Sequence, residues 1–318
     1  MSDLLSTRTA VTRAGRRRPV RGGSRTEAWR RRLPLLPALI YLILTTQIPF
    51  IAAIVISLTR WQAIYPAQRG FTGFDNYIRV FIDGALRQSV LVTVILTLGV
   101  VVVSLVLGLG IALLLNHRFP GRAVVRTLMI APFLVVPVAA ALIWKHAILN
   151  PSYGLINGTL TWIWQLFGSD AAPQVDWISD MPLVSIAASL IWQWTPFMML
   201  ILLAGLQSRP ADALEAAQLD GAGAVAVFWN ITLPHLRRYI EIAVILGAVF
   251  IVQNFDHVFT LTSGGLGTAN LPYTIYQTFF QRQDYGLAAA MGVVVVVATL
   301  ALAFFGLRSV SSLRKEES

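Results

Sequence analysis

Five polar side chains stand inside long apolar runs of this chain: Gln193, Gln253, Asn254, Asp256 and His257. A polar group in hydrocarbon costs free energy, so such residues either bond a neighbouring helix or line a path for a solute. Neutral amides and one carboxylate are suited to hydrogen-bonding hydroxyls, and the flat faces of Trp192 and Trp194, which flank Gln193, suit the C–H faces of a sugar. Adjacent positions but one on a helix look in different directions, so at most one of the two tryptophans lines such a path. Interhelical bonding is the competing role for all of these groups. No arginine stands in the middle of a run, which favours a neutral polyhydroxy solute over a carboxylate or a phosphate ester. Catalysis has little to build on. Cysteine is absent, His117, His146, His235 and His257 are scattered, and no His-Glu-x-x-His occurs, so neither a zinc site nor a nucleophile pair can be assembled. The two lysines, Lys145 and Lys315, lie outside any Gly-x-x-x-x-Gly-Lys-Ser/Thr loop; this chain is no phosphate-loop ATPase by itself.

The elements that must hold these residues are membrane spans. Of 318 residues 56% are hydrophobic and 13% charged, against about 25% charged in ordinary soluble domains. Apolar runs cover 33–58, 89–115, 127–149, 182–206, 239–261 and 285–307, each long enough for the roughly 20 residues that cross a bilayer. Lipid offers no partner to peptide groups, and the runs are continuous rather than alternating, so an all-α integral membrane bundle of six spans is expected instead of a barrel. Pro49, Pro132, Pro137 and Pro196 fall inside the runs and predict kinks. Glu241, near the start of the fifth run, reads as a helix N-terminal charge or a helix-pairing group.

Charge orients the bundle. Ten of the 25 Lys and Arg residues precede Leu33; three more lie between the second and third runs, three between the fourth and fifth, and three at the C-terminus, which makes 19 on one side against 6 on the other. Both termini are therefore expected in the cytoplasm. Segment 1–32 is expected to be a disordered basic cytoplasmic tail that meets anionic lipid; the net charge of +10 does not imply nucleic acid, because it is concentrated in that tail. A signal peptide is the rival reading, but the first run is longer than the roughly 7 to 15 residues of a signal core and lacks a small-x-small cleavage site. The loops on the far side, with Trp162, Trp164 and Trp177 at their edges, are expected to be compact caps with interfacial aromatics.

Between the fourth and fifth runs, the loop 207–238 contains Ser208, Arg209 and Pro210, then Asp212, Glu215, Ala216, Ala217, Asp220 and Gly221, and later Ile231, Leu233 and Pro234. Pro210 suits a first helical turn, Asp212 and Glu215 favour a helix's positive end, and Gly221 suits a left-handed stop. A second short helix over 224–230, ended by Pro234, is expected to complete a cytoplasmic hairpin. Periodicity alone would make this an amphipathic interfacial hairpin. The residues are more specific: Glu215-Ala216-Ala217, Gly221, Ile231, Leu233 and Pro234, at this spacing, resemble the coupling-loop signature of permease subunits of binding-protein-dependent ABC importers. The six-run layout, Phe71-Thr-Gly-Phe-Asp-Asn-Tyr77, and Asn254-Phe-Asp256 followed by Leu261-Thr-Ser-Gly-Gly265 resemble the sugar branch that includes maltose, glycerol-phosphate and trehalose permeases. Asn270 to Phe280 with Asp284-Tyr-Gly286 is similar to sorbitol and mannitol permeases. Leu266 departs from that branch, which commonly has proline after Gly-Gly.

The resemblance implies a permease domain over 33–313 that lies in the bacterial cytoplasmic membrane and imports a neutral sugar or sugar alcohol by alternating access. It implies three kinds of company besides lipid: a second homologous permease, two ATPase subunits that carry ATP and Mg, and an extracytoplasmic solute-binding protein. The chain itself would bind no cofactor or metal and would not be an enzyme. Glu215, Ala216, Ala217, Asp220, Gly221, Leu233 and Pro234 would couple it to the ATPase. Gln193, Trp192, Trp194, Gln253, Asn254 and Asp256 remain the candidates for the solute path. The alternative from another class, an ion- or proton-coupled carrier, would need a relay of intramembrane carboxylates and usually repeated halves; only Asp256 is deep, and no repeat is visible.

Overall fold

The computed structural model describes residues 33–168, 172, 174–209 and 211–316. The basic segment 1–32, Asp170 and Pro210 lie outside the described residues. Helix α1 is Leu36–Ser57, and the division of the chain into two units, Met1–Ile51 and Ala52–Ser318, falls within it. In the second unit a ribbon of β1 (Thr59–Arg60) and β2 (Gly70–Phe71) precedes α2 (Asp75–Ile82). Then follow α3 (Gly84–Asn116), α4 (Arg122–Leu134), α5 (Pro137–Ile148), α6 (Leu155–Leu166), α7 (Trp177–Asp180) and α8 (Pro182–Gln207). The last part comprises α9 (Ala211–Leu219), α10 (Ala224–Val252), α11 (Asp256–Thr262), α12 (Leu271–Tyr276) and α13 (Tyr285–Glu316).

Three helices are individually long and apolar enough to cross a membrane among the described residues: α1, α3 and α8. The third and fifth runs, expected as single spans, are each broken in two. Helices α4 and α5 meet at 97°, and α10 and α11 at 49°. The first break has a local cause. A residue before proline is driven from helical to extended backbone, and Val136, before Pro137, has ψ 134°, as does Val135. Pro196, by contrast, sits inside an unbroken α8. Counting each bent pair once gives five spans, and α13 holds a further apolar stretch, Tyr285–Ala301, just below that length.

Prolines near helix starts are absorbed differently. Pro49 and Pro234 each follow a turn of π-helix, Ile43–Gln47 and Phe228–Thr232. The residue before each proline bonds five positions back, Ile48 N–H to Ile43 O and Leu233 N–H to Phe228 O. The widened turn accommodates the ring and the missing donor that a regular turn would not. Pro234 therefore does not end a short helix, as the sequence pattern predicts; the chain from Ala224 runs on as one helix into the fifth span.

The core forms where α3, α8 and α10 pack on one another. Met198 of α8 lies at their junction. A β-carbon on Gly108 of α3 would come within 2.9 Å of Met198 Cβ and of the Met199 nitrogen, and one on Gly247 of α10 within 2.1 Å of Met198 Cε. Close approach of helices through small residues is how membrane bundles gain packing energy without a hydrophobic drive. On the side of the ribbon the termini of three helices are pinned together. Asn76 donates to Ser57 O (2.9 Å) and Thr59 O (2.8 Å), Tyr77 OH lies 2.6 Å from Ser57 Oγ, and Arg79 pairs with buried Asp284 at 3.3 Å. A β-carbon on Gly286 would meet Thr59 O at 2.2 Å. The two motifs Phe71–Tyr77 and Asp284–Gly286, distant in sequence, thus close one cap.

Leu266 adopts φ 54°, a left-handed backbone that proline cannot reach.

Candidate functional site

Helix α9 carries Glu215, Ala216 and Ala217 and is stopped by Gly221, whose φ is 80°. The Ala222 N–H donates to Ala217 O at 2.9 Å, the long bond of a Schellman closure, which satisfies a carbonyl the helix end would leave free. A β-carbon on Gly221 would have nothing within 4 Å; glycine is needed there for its backbone angle, not for space. Past Gly223 the chain turns into α10. Glu215, Ala216, Asp220 and Pro234 are exposed and Ala217, Ile231 and Leu233 half-buried. Large apolar side chains stand out beside them: Leu219 is 88% exposed, Val225 73% and Trp229 60%. A face of carboxylates, small residues and bare apolar groups has the chemistry of a docking surface rather than of a reaction centre.

The base of this hairpin is clamped. Ser208 Oγ, at the end of α8, lies 2.6 Å from Tyr239 OH and 3.2 Å from His235 Nε2 of α10, and His235 Nε2 also lies 3.1 Å from Gly205 O. Arg209 Nη1 donates to the buried Thr232 hydroxyl. Gly205 admits the Tyr239 ring, which would sit 2.7 Å from a β-carbon there. Between this base and the loop lies a cavity of about 600 Å³, lined by Leu113, Asn116, His117, Leu206, Arg209, Leu214, Ala222, Ala224, Val227, Phe228 and Thr232. The sequence pattern did not single out Ser208, Arg209, His235 or Tyr239 for this task. Glu241 forms an i,i+4 pair with Arg237 at 3.3 Å within α10, an intrahelical contact rather than the helix-start charge or the pairing of two helices expected of it.

The polar residues of the spans separate into two groups. Gln193 is buried and its Nε2 donates to Val135 O at 2.9 Å; it satisfies the carbonyl freed by the break between α4 and α5. Asn254 and Asp256 sit at the other break, with Gln253 exposed beside them. There Asn254 Nδ2 lies 3.1 Å from His257 Nδ1, and Asn270 donates to Asn254 O while capping α12. The two half-helices α5 and α11 pack together, and Lys145 Nζ donates to Thr260 O at 2.7 Å across them. The tryptophans diverge as expected. Trp192 meets Trp144 edge-on, whereas Trp194 stacks on Phe250, 5.3 Å between centroids, one turn before Asn254. Among the described residues Gln193 Oε1, Asn254 Oδ1 and His257 Nε2 are buried without a hydrogen-bond partner, and no three His, Cys, Asp or Glu side chains gather to hold a metal.

Residues 104–315 match the family model described as binding-protein-dependent transport system inner membrane component. A probable ABC transporter permease protein of Sinorhizobium fredii is 35% identical over 84% of this chain and 85% of its own length. The trehalose/maltose transport system permease protein of Thermococcus litoralis is 34% identical over 84% of this chain and 89% of its own. Among solved structures, a chain of a bacterial ABC transporter involved in import of the acidic polysaccharide alginate superposes with a TM-score of 0.75, at 22% identity, over 90% of this chain and 96% of that one; that likeness concerns the fold.

Proposed function

The chain belongs to the family of binding-protein-dependent transport system inner membrane components, and we propose that it is the permease subunit through which an ATP-driven importer moves a neutral sugar or sugar alcohol. As a permease it is a membrane transport subunit and not itself an enzyme. The sugar reading draws on the trehalose/maltose permease among its relatives and on span residues that carry amides, a carboxylate and tryptophan but no mid-span arginine.

The observation that carries the coupling proposal is the clamped hairpin. Glu215, Leu219, Val225 and Trp229 stand exposed on a loop whose turn is fixed by Gly221 and whose two stems are bonded at Ser208, His235 and Tyr239. Bonding at the base lets a push on α9 reach α8 and α10 together. In this reading a separate ATPase, with its ATP and Mg, covers α9; two such subunits, a second permease and an extracytoplasmic binding protein complete the importer. The bundle counts six spans when the bent pairs and α13 each cross once, with both termini in the cytoplasm and α9 on that side, following the distribution of Lys and Arg. The loop 207–238 couples, and 33–313 forms the permease domain.

The solute path, in the same reading, runs by the break at Gln253, Asn254 and Asp256. Asn254 Oδ1 and His257 Nε2 retain hydrogen-bonding capacity that protein groups do not use, and the hydroxyls of a passing sugar can use it. Gln193 is bonded to Val135 O, and this reading gives it to helix repair rather than to the solute. The experiment is uptake of labelled neutral sugars and polyols by vesicles holding the complete importer. Asn254→Leu should lower uptake while leaving subunit assembly intact; unchanged uptake would return Asn254 to helix packing.

A further inference from the structure

Helix α2 has two apolar sides, and its fold explains only one. Asn76, Tyr77 and Val80 face inward, where Val80 packs with Leu86, Leu287 and Met291. On the other side Phe74, Ile78, Phe81 and Ile82 are 54–72% exposed. Their spacing of four, three and one places them on a single stripe of the helix. The helix's charges do not interrupt it. Asp75 pairs with Arg60 at 3.7 Å and Arg79 with Asp284 at 3.3 Å.

We propose that this stripe lies in the outer surface of the bilayer, so that α2 is an interfacial helix that anchors the cap to lipid. The position of α2 limits its occupant. It is bonded at Asn76 to the end of α1 and is followed, after Asp83, by the first residue of α3, so it lies at the level where two spans leave the membrane. Exposed apolar side chains also mark the early turns of α3, at Leu91, Val94, Ile95 and Leu98, on a helix long and apolar enough to cross a membrane. A helix at that level with bulky apolar side chains on one side gains from burial among head groups and upper acyl chains. A soluble protein that docks and leaves meets surfaces about as polar as ordinary protein surface, and this stripe has no polar member. The assignment to the outer leaflet rests on the orientation proposed above.

The chain has no cysteine, which makes single-site labelling clean. Ile78→Cys, Ile82→Cys and, as control, Gln68→Cys in the nearby exposed turn are each labelled with an environment-sensitive fluorophore and placed in nanodiscs. The nanodiscs carry phosphatidylcholine with a nitroxide either near the head group or near the chain end. At Ile78 and Ile82 the shallow nitroxide should quench roughly twofold or more, the deep one less, and neither should affect Gln68. Equal insensitivity at all three sites overturns the proposal, as does shielding of Ile78 and Ile82 only when a loaded binding protein is added. Reaction of Gln68→Cys with an impermeant maleimide in right-side-out vesicles tests the side separately; failure there refutes the orientation, whereas lipid contact is decided by the quenching alone.

Discussion

The hairpin end of α8 and the middle of the bundle solve opposite problems. At the hairpin end the bonds concentrate at the base, among Ser208, Arg209, Thr232, His235 and Tyr239, and leave Glu215, Leu219 and Trp229 bare beyond it. In the middle of the bundle, polar side chains bond inward to repair broken helices, as Gln193 does for Val135 and Asn270 for Asn254. One region leaves apolar side chains uncovered; the other turns polar side chains to its own backbone. A polar residue in a span therefore needs its bond to be known before it is assigned to a solute, whereas an exposed apolar residue on a clamped loop already implies a partner.

The largest intrinsic effect is expected where the repair is removed. Gln193→Leu leaves the half-buried Val135 carbonyl without its donor, a loss of about 1–3 kcal/mol. It should lower the melting temperature of the purified subunit while the affinity of the assembled importer for solute holds; a loss of transport at unchanged stability would instead make Gln193 a solute ligand and blur the contrast between the two regions. A step smaller is Gly221→Val, which forces a β-branched residue into a left-handed angle at about 1–2 kcal/mol. Because open space surrounds that position, Gly221→Asn should recover most of the ATP-driven uptake that valine loses. Equal loss in both variants would mean that crowding by a partner, not backbone angle, selects glycine. Smallest is Tyr239→Phe, which removes the hydroxyl that meets Ser208 Oγ and, at 3.3 Å, the exposed Arg238; the Ser208 contact is worth about 0.5–1.5 kcal/mol. The clamp predicts unaltered ATPase binding but less solute moved per ATP hydrolysed; an unchanged ratio would show that the base transmits nothing.

How much of this was legible in the sequence follows from the range of each interaction. The long helices could be read because apolar length is a local property, and Gly221 because a left-handed stop is a local demand. The beginning of α3 at Gly84 rather than 89 reflects a cap, Asp83 accepting from Ala85 N–H at 2.8 Å, hidden under a search for apolar edges. Pro137 and Pro234 look alike in sequence, yet one breaks a helix and the other is absorbed by a π turn. Gln193 was visible as a buried amide, but its partner is 58 positions away, and helix register across such a distance is set by packing, not by spacing. The clamp was missed for the same reason. Ser208 and Tyr239 are ordinary loop and helix residues until α8 and α10 are brought together by Gly205.

The central claim is that α9 is the surface a separate ATPase covers. With no cysteine in the chain, Glu215→Cys can be titrated with maleimide in the lone subunit and in the complete importer, and uptake by Glu215→Ala measured in parallel vesicles. The account predicts rapid modification alone and strong protection after assembly. It also predicts that Glu215→Ala loses most ATP-driven uptake, since cutting one side of a buried interfacial charge pair costs about 2–5 kcal/mol. Equal modification rates with and without the ATPase, together with normal uptake by Glu215→Ala, would contradict it.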